Sequence, residues 1–484
     1  MTKTEFCMGL QCPRQLWLHI NRPDLEQTSI DSIASRNGRE VGAAARDFFR
    51  PDAIVRLGEP GDMVEETRFF MDHGAKVIAE ASFMSDEGFC SVDIFRNLGD
   101  KKIKIYEVKS SKEIKDIYKY DVAYQYRILT GLGFDVVEAN IVTVNGEYVR
   151  HGEVNLGELF KITDITEEVK ALQSVVGDEL QVLSITDEPE AKLGDCCFKP
   201  YSCGFFDYCT ESFPHPNVFD VTEIHNSTKF KYIGNNIISF EDLETSDLKD
   251  KYLLQVQHEI HDLPPHIDYA GIKGFLEKIH YPLFFLDFET VNPAIPIFDN
   301  SGPYDHIVFQ YSLHYIAEEG LMHDEFLAMP GKDPRREVAE RLCRVIPRDA
   351  CVIVYNKTFE QSRLKELAKL YPDLSEKLLR ISDNIVDLME PFKKRYYYAR
   401  DMKGSASIKK VLPAVFPDDP KLNYANLGGV HVGTEASEAY YLMAHSSPEE
   451  LEELRSQLLK YCGLDTLATV KLLEFLQGIV CEKN

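Results

Sequence analysis

The sequence predicts an α/β protein of two domains, and three observations carry that prediction. Its 484 residues exceed what a single ordinary core encloses. Short apolar, β-branched runs alternate with segments of helical period in both halves. Between the halves lies a stretch of weak pattern, broken by Pro214, Pro216 and Pro264-Pro265. The expected division is 1–210, a connecting region 211–275 with room for a small helical element, and 276–484.

In the first part, the spacing of Ile33, Val41, Ala44, Ala45 and Phe48 predicts a helix over Asp31–Arg50. Strands are expected at Val77–Phe83, Phe89–Arg96 and Ile103–Lys109, then a helix over Ile117–Leu132 and a strand at Val136–Val144. The last part opens with a strand at Leu283–Phe288. It continues with a strand of no definite bounds and another at Val352–Tyr355, and is mostly helical thereafter. It closes with an amphipathic helix over Glu449–Leu476, for which Gly463 is the natural breaking point.

Composition narrows the function. The chain is 44% hydrophobic and 27% charged, which is ordinary for a globular protein. No apolar run is long enough to span a bilayer, and Met1-Thr2-Lys3-Thr4-Glu5 opens no secretory leader. A cytoplasmic protein with no membrane partner is expected. The net charge of −25 argues against a tight non-specific nucleic-acid binder. It leaves room for a local groove, for which Lys393-Lys394-Arg395, Tyr396-Tyr397-Tyr398, Arg400, Lys403 and Lys409-Lys410 supply a basic, tyrosine-rich island. Of the eleven cysteines, Cys196, Cys197, Cys203 and Cys209 share one short segment, a clustering that suggests metal ligation rather than disulfides.

Hydrolysis of a phosphodiester by two divalent metals needs several carboxylates held at one point by rigid elements. Asp287-Phe288-Glu289 ends an apolar strand, where residues two apart share a face. Val352–Tyr355 leads into Asn356-Lys357-Thr358-Phe359-Glu360, which sets an amide and a carboxylate at a strand-to-helix junction. Tyr461 and Asp465 lie four apart and so on one side of the last helix. Each piece alone is weak. In this order they resemble the three exonuclease motifs of the DnaQ-like DEDD superfamily, tyrosine subgroup, over about Tyr281–Phe475. The resemblance implies a ribonuclease H-like domain with 3′–5′ exonuclease activity that uses Mg²⁺ or Mn²⁺. Asp287, Glu289 and Asp465 would hold the metal that activates water, Glu360 with Asp287 the second metal, and Tyr461 would orient the water. Glu360 departs from the motif, which usually ends in aspartate, and its extra methylene bears on rate and metal preference.

The stretch Gly404–Pro413 resembles the helix that follows the second motif in such nucleases, so Ser407 and Lys409, with Asn356, are expected at the nucleic-acid strand. Lys393, Lys394 and Arg395 are expected at phosphates, and Tyr397 as a stacking platform.

In the first part, Glu107-Val108-Lys109 ends a strand, and Asp93 lies on the strand before it. Asp93 and Glu107 can bind Mg²⁺ while Lys109 positions water and offsets charge. Asp121 and Gln125 share a helical face behind them. This set resembles the RecB-like branch of the PD-(D/E)xK (restriction-endonuclease-like) fold. Cys12-Pro13-Arg14 is similar to the first cluster ligand of the iron–sulfur nucleases of that branch. The resemblance implies a [4Fe–4S] cluster on Cys12, Cys197, Cys203 and Cys209. Cys196 can replace Cys197, Cys7 is a weaker rival to Cys12, and a four-thiolate zinc site is the alternative. A helical acid often completes such sites, and Glu40 is the nearest candidate. The whole chain resembles a bacterial family in which a RecB-like nuclease precedes a DnaQ-like domain. The expectation is a two-site nuclease acting on single-stranded or frayed DNA. RNA as substrate, or one domain serving as a non-catalytic clamp in repair or defence, stays open; the intact acids and Lys109 favour activity.

Overall fold

The structure, a computed structural model, describes residues 1–27, 32–183 and 187–481. Asp31, the expected start of a helix, lies outside the described residues. The chain divides into two compact units, Met1–Ser212 with Pro293–Asp305, and Phe213–Asn292 with His306–Asn484. The first unit thus takes in a segment from between two strands of the second, which nothing in the sequence marks.

The first unit is built on a six-stranded sheet whose strands follow one another in order. They are β1 (Ala53–Ile54), β2 (Val77–Ser85), β3 (Gly88–Gly99), β4 (Lys102–Lys109), β5 (Asp135–Val144) and β6 (Phe160–Asp164). The β2–β3–β4 pairings are antiparallel, whereas β4 and β5 run parallel. A parallel neighbour needs a crossover, and the helix Asp116–Gly131 supplies it. Both faces are covered. Ile103 and Ile105 pack with Val122 and Ile128 on one side, and Tyr106 and Val142 with Val41 and Ala45 on the other. Glu107 shares the parity of Ile103 and Ile105, so it faces the crossover helix. From the 293–305 segment, the Ala294 N–H donates to Asn37 Oδ1 at 3.2 Å, and Ala294 joins the second of these cores.

The second unit centres on five strands in the order β10-β9-β8-β11-β12, with a two-stranded pair β7–β13 beside them. Their ranges are β7 His266–Ile267, β8 Leu283–Val291, β9 Ile307–Ala317, β10 Gly320–Leu327, β11 Cys351–Val354, β12 Ile385–Asp387 and β13 Tyr397–Tyr398. β8, β9 and β10 form an antiparallel meander, and β11 and β12 add to it in parallel. The closing helix, Pro448–Cys481, buries Leu458, Leu464, Ala468, Leu472 and Leu476. It runs through Gly463 without the expected break. A Cβ there would stand 3.8 Å from the ring of His323, in ordinary van der Waals contact. Residues 213–261 are more than a connector. Val218, Val221, Phe240, Leu243, Leu248 and Val256 form a buried core of their own among short helices. No described helix is long and apolar enough to cross a membrane.

Candidate metal centres

In the second unit, three elements aim acids into one pocket. β8 supplies Asp287 and Glu289 from one face, the first turn of helix Lys357–Leu370 supplies Glu360, and the closing helix supplies Tyr461 and Asp465. The ligand atoms of Asp287, Glu289 and Asp465 all lie within 4.8 Å of one another. Glu360 is 2% exposed and its Oε2 has no hydrogen-bond partner. Burial first, and then the neighbouring carboxylates, push Asp287, Glu289 and Glu360 well above the ordinary carboxylate range. Burial lifts Asp465 to about 6, while the Tyr424 hydroxyl and Lys409 hold it down. Four acids in one pocket, three of them pushed up by neighbouring carboxylates and one with an orphaned oxygen, form a donor set suited to hard divalent cations.

Other side chains fix the geometry. The Tyr424 hydroxyl donates to Asp465 Oδ1. Lys409 Nζ donates to Tyr461 Oη at 3.1 Å and to the His431 carbonyl. An ammonium only donates, so Tyr461 Oη is an acceptor there, while its own O–H helps to hold Asp465 down. Cys462 Sγ lies 3.5 Å from Asp287 Oδ2, and burial keeps its thiol protonated. Sequence reasoning missed Tyr424 and Cys462 in these roles. Tyr424 opens a single 3-10 turn, Tyr424–Asn426, in an unpatterned stretch and gives no signal, whereas Cys462 is at least adjacent to Tyr461.

The structure dismantles much of the basic island. Arg395 is 4% exposed, with its guanidinium on the carbonyls of Gly404 and Phe392 and over the Tyr398 ring. Tyr397 is buried against Phe475 and Phe392. Neither is placed to meet a nucleic-acid strand, because each completes the core instead. Lys394 is ion-paired to Glu390. Lys393 and Ser407 are exposed, Asn356 lines the acid pocket at φ 94, and Lys409 lies inside that pocket rather than outside it.

In the first unit, Asp93 Oδ2 accepts the Val108 N–H at 2.6 Å across β3 and β4. Glu107 is 3% exposed. Its Oε1 accepts Lys3 Nζ at 2.7 Å and Lys109 Nζ at 2.8 Å, and its Oε2 accepts Gln125 Nε2 at 2.6 Å. Lys109 Nζ also pairs with Asp121, to which Cys7 Sγ donates at 3.1 Å. Burial opposes the charge on Glu107, but the two ammoniums outweigh it and hold its carboxyl low; burial and the Glu107 charge push Asp93 up. The acid beside Asp93 is Glu80, at φ 56 on β2 between the pairs Ala79–Ile94 and Ala81–Val92. Glu40 is half-buried on the helix Ser32–Phe49, and among the described residues no hydrogen bond joins it to Asp93 or Glu107. Sequence reasoning named Glu40 and missed Glu80 and Lys3.

Cys12, Cys196, Cys197, Cys203 and Cys209 line one small cavity with Leu18, Phe205 and Phe206. Among the described residues, no three of these sulfurs lie within 4.8 Å of one another. Cys7 is turned to Asp121 and does not line that cavity.

Comparison with known proteins matches residues 284–407 to a family described as a domain of unknown function, DUF2779. That span includes Asp287, Glu289 and Glu360 but not Asp465. The chain is 28% identical over 233 residues to a protein of Mycoplasma genitalium, covering 44% of this chain and 34% of that protein. It is 29% identical over 237 residues to one of Ureaplasma parvum, with the same coverage, and 25% identical over 228 residues to one of Mycoplasma pneumoniae. All three are named only as uncharacterized. The chain spans about a third of the length of these curated relatives. No solved structure matches.

Proposed function

We propose that this chain is a divalent-metal-dependent nuclease with two hydrolytic sites, trimming DNA from 3′ ends at the C-terminal site. One observation carries the reading. Asp287, Glu289 and Asp465, from elements far apart in sequence, bring their oxygens within 4.8 Å, with Glu360 and Tyr461 lining the same pocket. The antiparallel meander extended by parallel strands also suits a ribonuclease H-like domain. Divalent cations, when bound, would offset phosphate charge and ease the loss of a proton from water. Asp287, Glu289 and Asp465 would hold one, and Glu360 with Asp287 the other. Tyr461, held in the pocket by Lys409 and Asp465, would orient the attacking water.

The N-terminal set fits the PD-(D/E)xK reading on similar grounds. Asp93 and Glu107 are the metal ligands of that reading, Lys109 is held by Glu107 and Asp121 to offset charge, and Gln125 fixes Glu107. For the cysteines, the shared cavity supports four-thiolate ligation of one group, which would tie Cys12 to the segment holding Cys197, Cys203 and Cys209. A [4Fe–4S] cluster is that group in the iron–sulfur reading, with zinc as the alternative.

The test is a 5′-labelled single strand incubated with protein and Mn²⁺, with an RNA strand of the same sequence in parallel. The expected product is a ladder shortening from the 3′ end, abolished by Asp287→Ala. Undiminished 3′ trimming by that variant refutes the assignment.

A further inference from the structure

Lys3 belongs to the N-terminal constellation and has no place in the reading above. Its ammonium shares Glu107 Oε1 with that of Lys109, at 2.7 and 2.8 Å. Gln125 takes the other oxygen, so protein donors already engage both. The position is built rather than incidental. The Met1 carbonyl accepts the Phe89 N–H at 2.9 Å and the Tyr124 hydroxyl, and Thr2 bridges to Phe89 of β3. Gly88, at φ 156, has no room for a side chain because the Met1 carbonyl and Tyr124 hydroxyl fill that space. Thr2 and Glu5 close a capping box that starts the helix Lys3–Gln11. The backbone at Lys3 is therefore pinned, while its side chain, 21% exposed, keeps a way out to solvent.

The charges facing this point are the carboxylates Asp93, Glu107 and Asp121, with Glu80 behind, against Lys3, Lys109 and Arg46 beside Glu80. A divalent cation entering between Asp93 and Glu107 would meet two ammoniums on one carboxylate oxygen. Lys109 has a second anchor in Asp121; among the described residues, Lys3 has only Glu107 as a direct ion-pair partner. Of the two, Lys3 is the one that can yield.

We propose that Lys3 is a resident counter-cation of this site, and that a divalent metal binds Asp93 and Glu107 by displacing the Lys3 ammonium into solvent. The inference rests on the N-terminal carboxylates being a metal site. It gives the site a built-in threshold: metal occupies it only at concentrations sufficient to outcompete a tethered ammonium.

Full-length protein carrying Asp287→Asn and Asp465→Asn, to silence the other pocket, is titrated with Mn²⁺ and free ion is read by electron paramagnetic resonance. Lys3→Met should bind at least tenfold tighter than its parent, Lys3→Arg should match the parent, and Glu107→Gln should lose the site. A second measurement needs no change at Lys3. Reductive methylation of Lys3, followed by mass spectrometry, should accelerate several-fold when Mn²⁺ is added. Unchanged or weaker Mn²⁺ binding by folded Lys3→Met, or no acceleration of methylation, overturns the proposal while leaving the metal site intact. If Glu107→Gln binds Mn²⁺ as well as its parent, the metal-site reading fails and takes the proposal with it.

Discussion

Replacing Asp465 by asparagine should stabilise the metal-free protein at neutral pH, although it removes a proposed metal ligand. Asp465 is 8% exposed, and burial lifts its carboxyl from its ordinary 3.8 to about 6. The folded value is the higher one, so the folded state holds the proton more tightly than the unfolded chain. Stability from this group is full below pH 4 and is lost as pH rises through 6. Roughly two pH units at about 1.4 kcal/mol each make the loss about 3 kcal/mol at pH 7. Asp465→Asn removes the ionisation and keeps an acceptor for the Tyr424 hydroxyl. In EDTA at pH 7.5 the variant should be more stable by up to about 3 kcal/mol, with the gap closing by pH 4. Saturating Mn²⁺ should reverse the order, since the bound cation offsets a charge that only the parent carries. Denaturant unfolding followed by circular dichroism reads all three. A variant less stable than its parent in EDTA at pH 7.5, or a gap that ignores pH, would refute the electrostatic reasoning.

Other outcomes follow from the same geometry. Burial, with His323 stacked 4.2 Å away, pushes His314 down to about 4. Its folded value is the lower one, so stability is full above pH 6.5 and falls by about 3 kcal/mol as pH drops towards 4. His314→Gln should flatten that acid limb in urea unfolding curves, and an unaltered limb would assign the loss elsewhere. Lys409→Met should lower kcat on a single strand by on the order of ten- to a hundredfold with little change in KM, and Lys409→Arg should restore part of it; a loss confined to KM would make Lys409 a strand-binding group instead. Protein purified without oxygen should be yellow-brown with iron and sulfide, and Cys203→Ser should bleach it. Colourless protein with stoichiometric zinc would contradict the cluster.

The sequence made the acids legible because they sit on strong local patterns. Asp287 and Glu289 end an apolar strand, Glu360 opens the helix after another, and Glu107 and Lys109 close a third. What it hid was tertiary. β9 is almost continuously buried up to His314, so it lacks the alternation that would give it bounds. The tyrosines and Arg395 of the basic island look like a groove in sequence, yet the fold spends them on its interior, where Arg395 satisfies carbonyls. Lys3 and Tyr424 reach their acids across 104 and 41 residues, a distance that no spacing rule spans. Glu80 comes to Asp93 through the pairing of β2 with β3, between Ala79–Ile94 and Ala81–Val92, a register that the sequence does not state.

Crystals of the full chain grown with Mn²⁺ and measured for anomalous scattering test the central claim most directly. The account predicts two manganese peaks about 3.5–4 Å apart, with Asp287 touching both, Glu289 and Asp465 on one and Glu360 on the other. An acid pocket without manganese in crystals that carry it elsewhere would contradict the account.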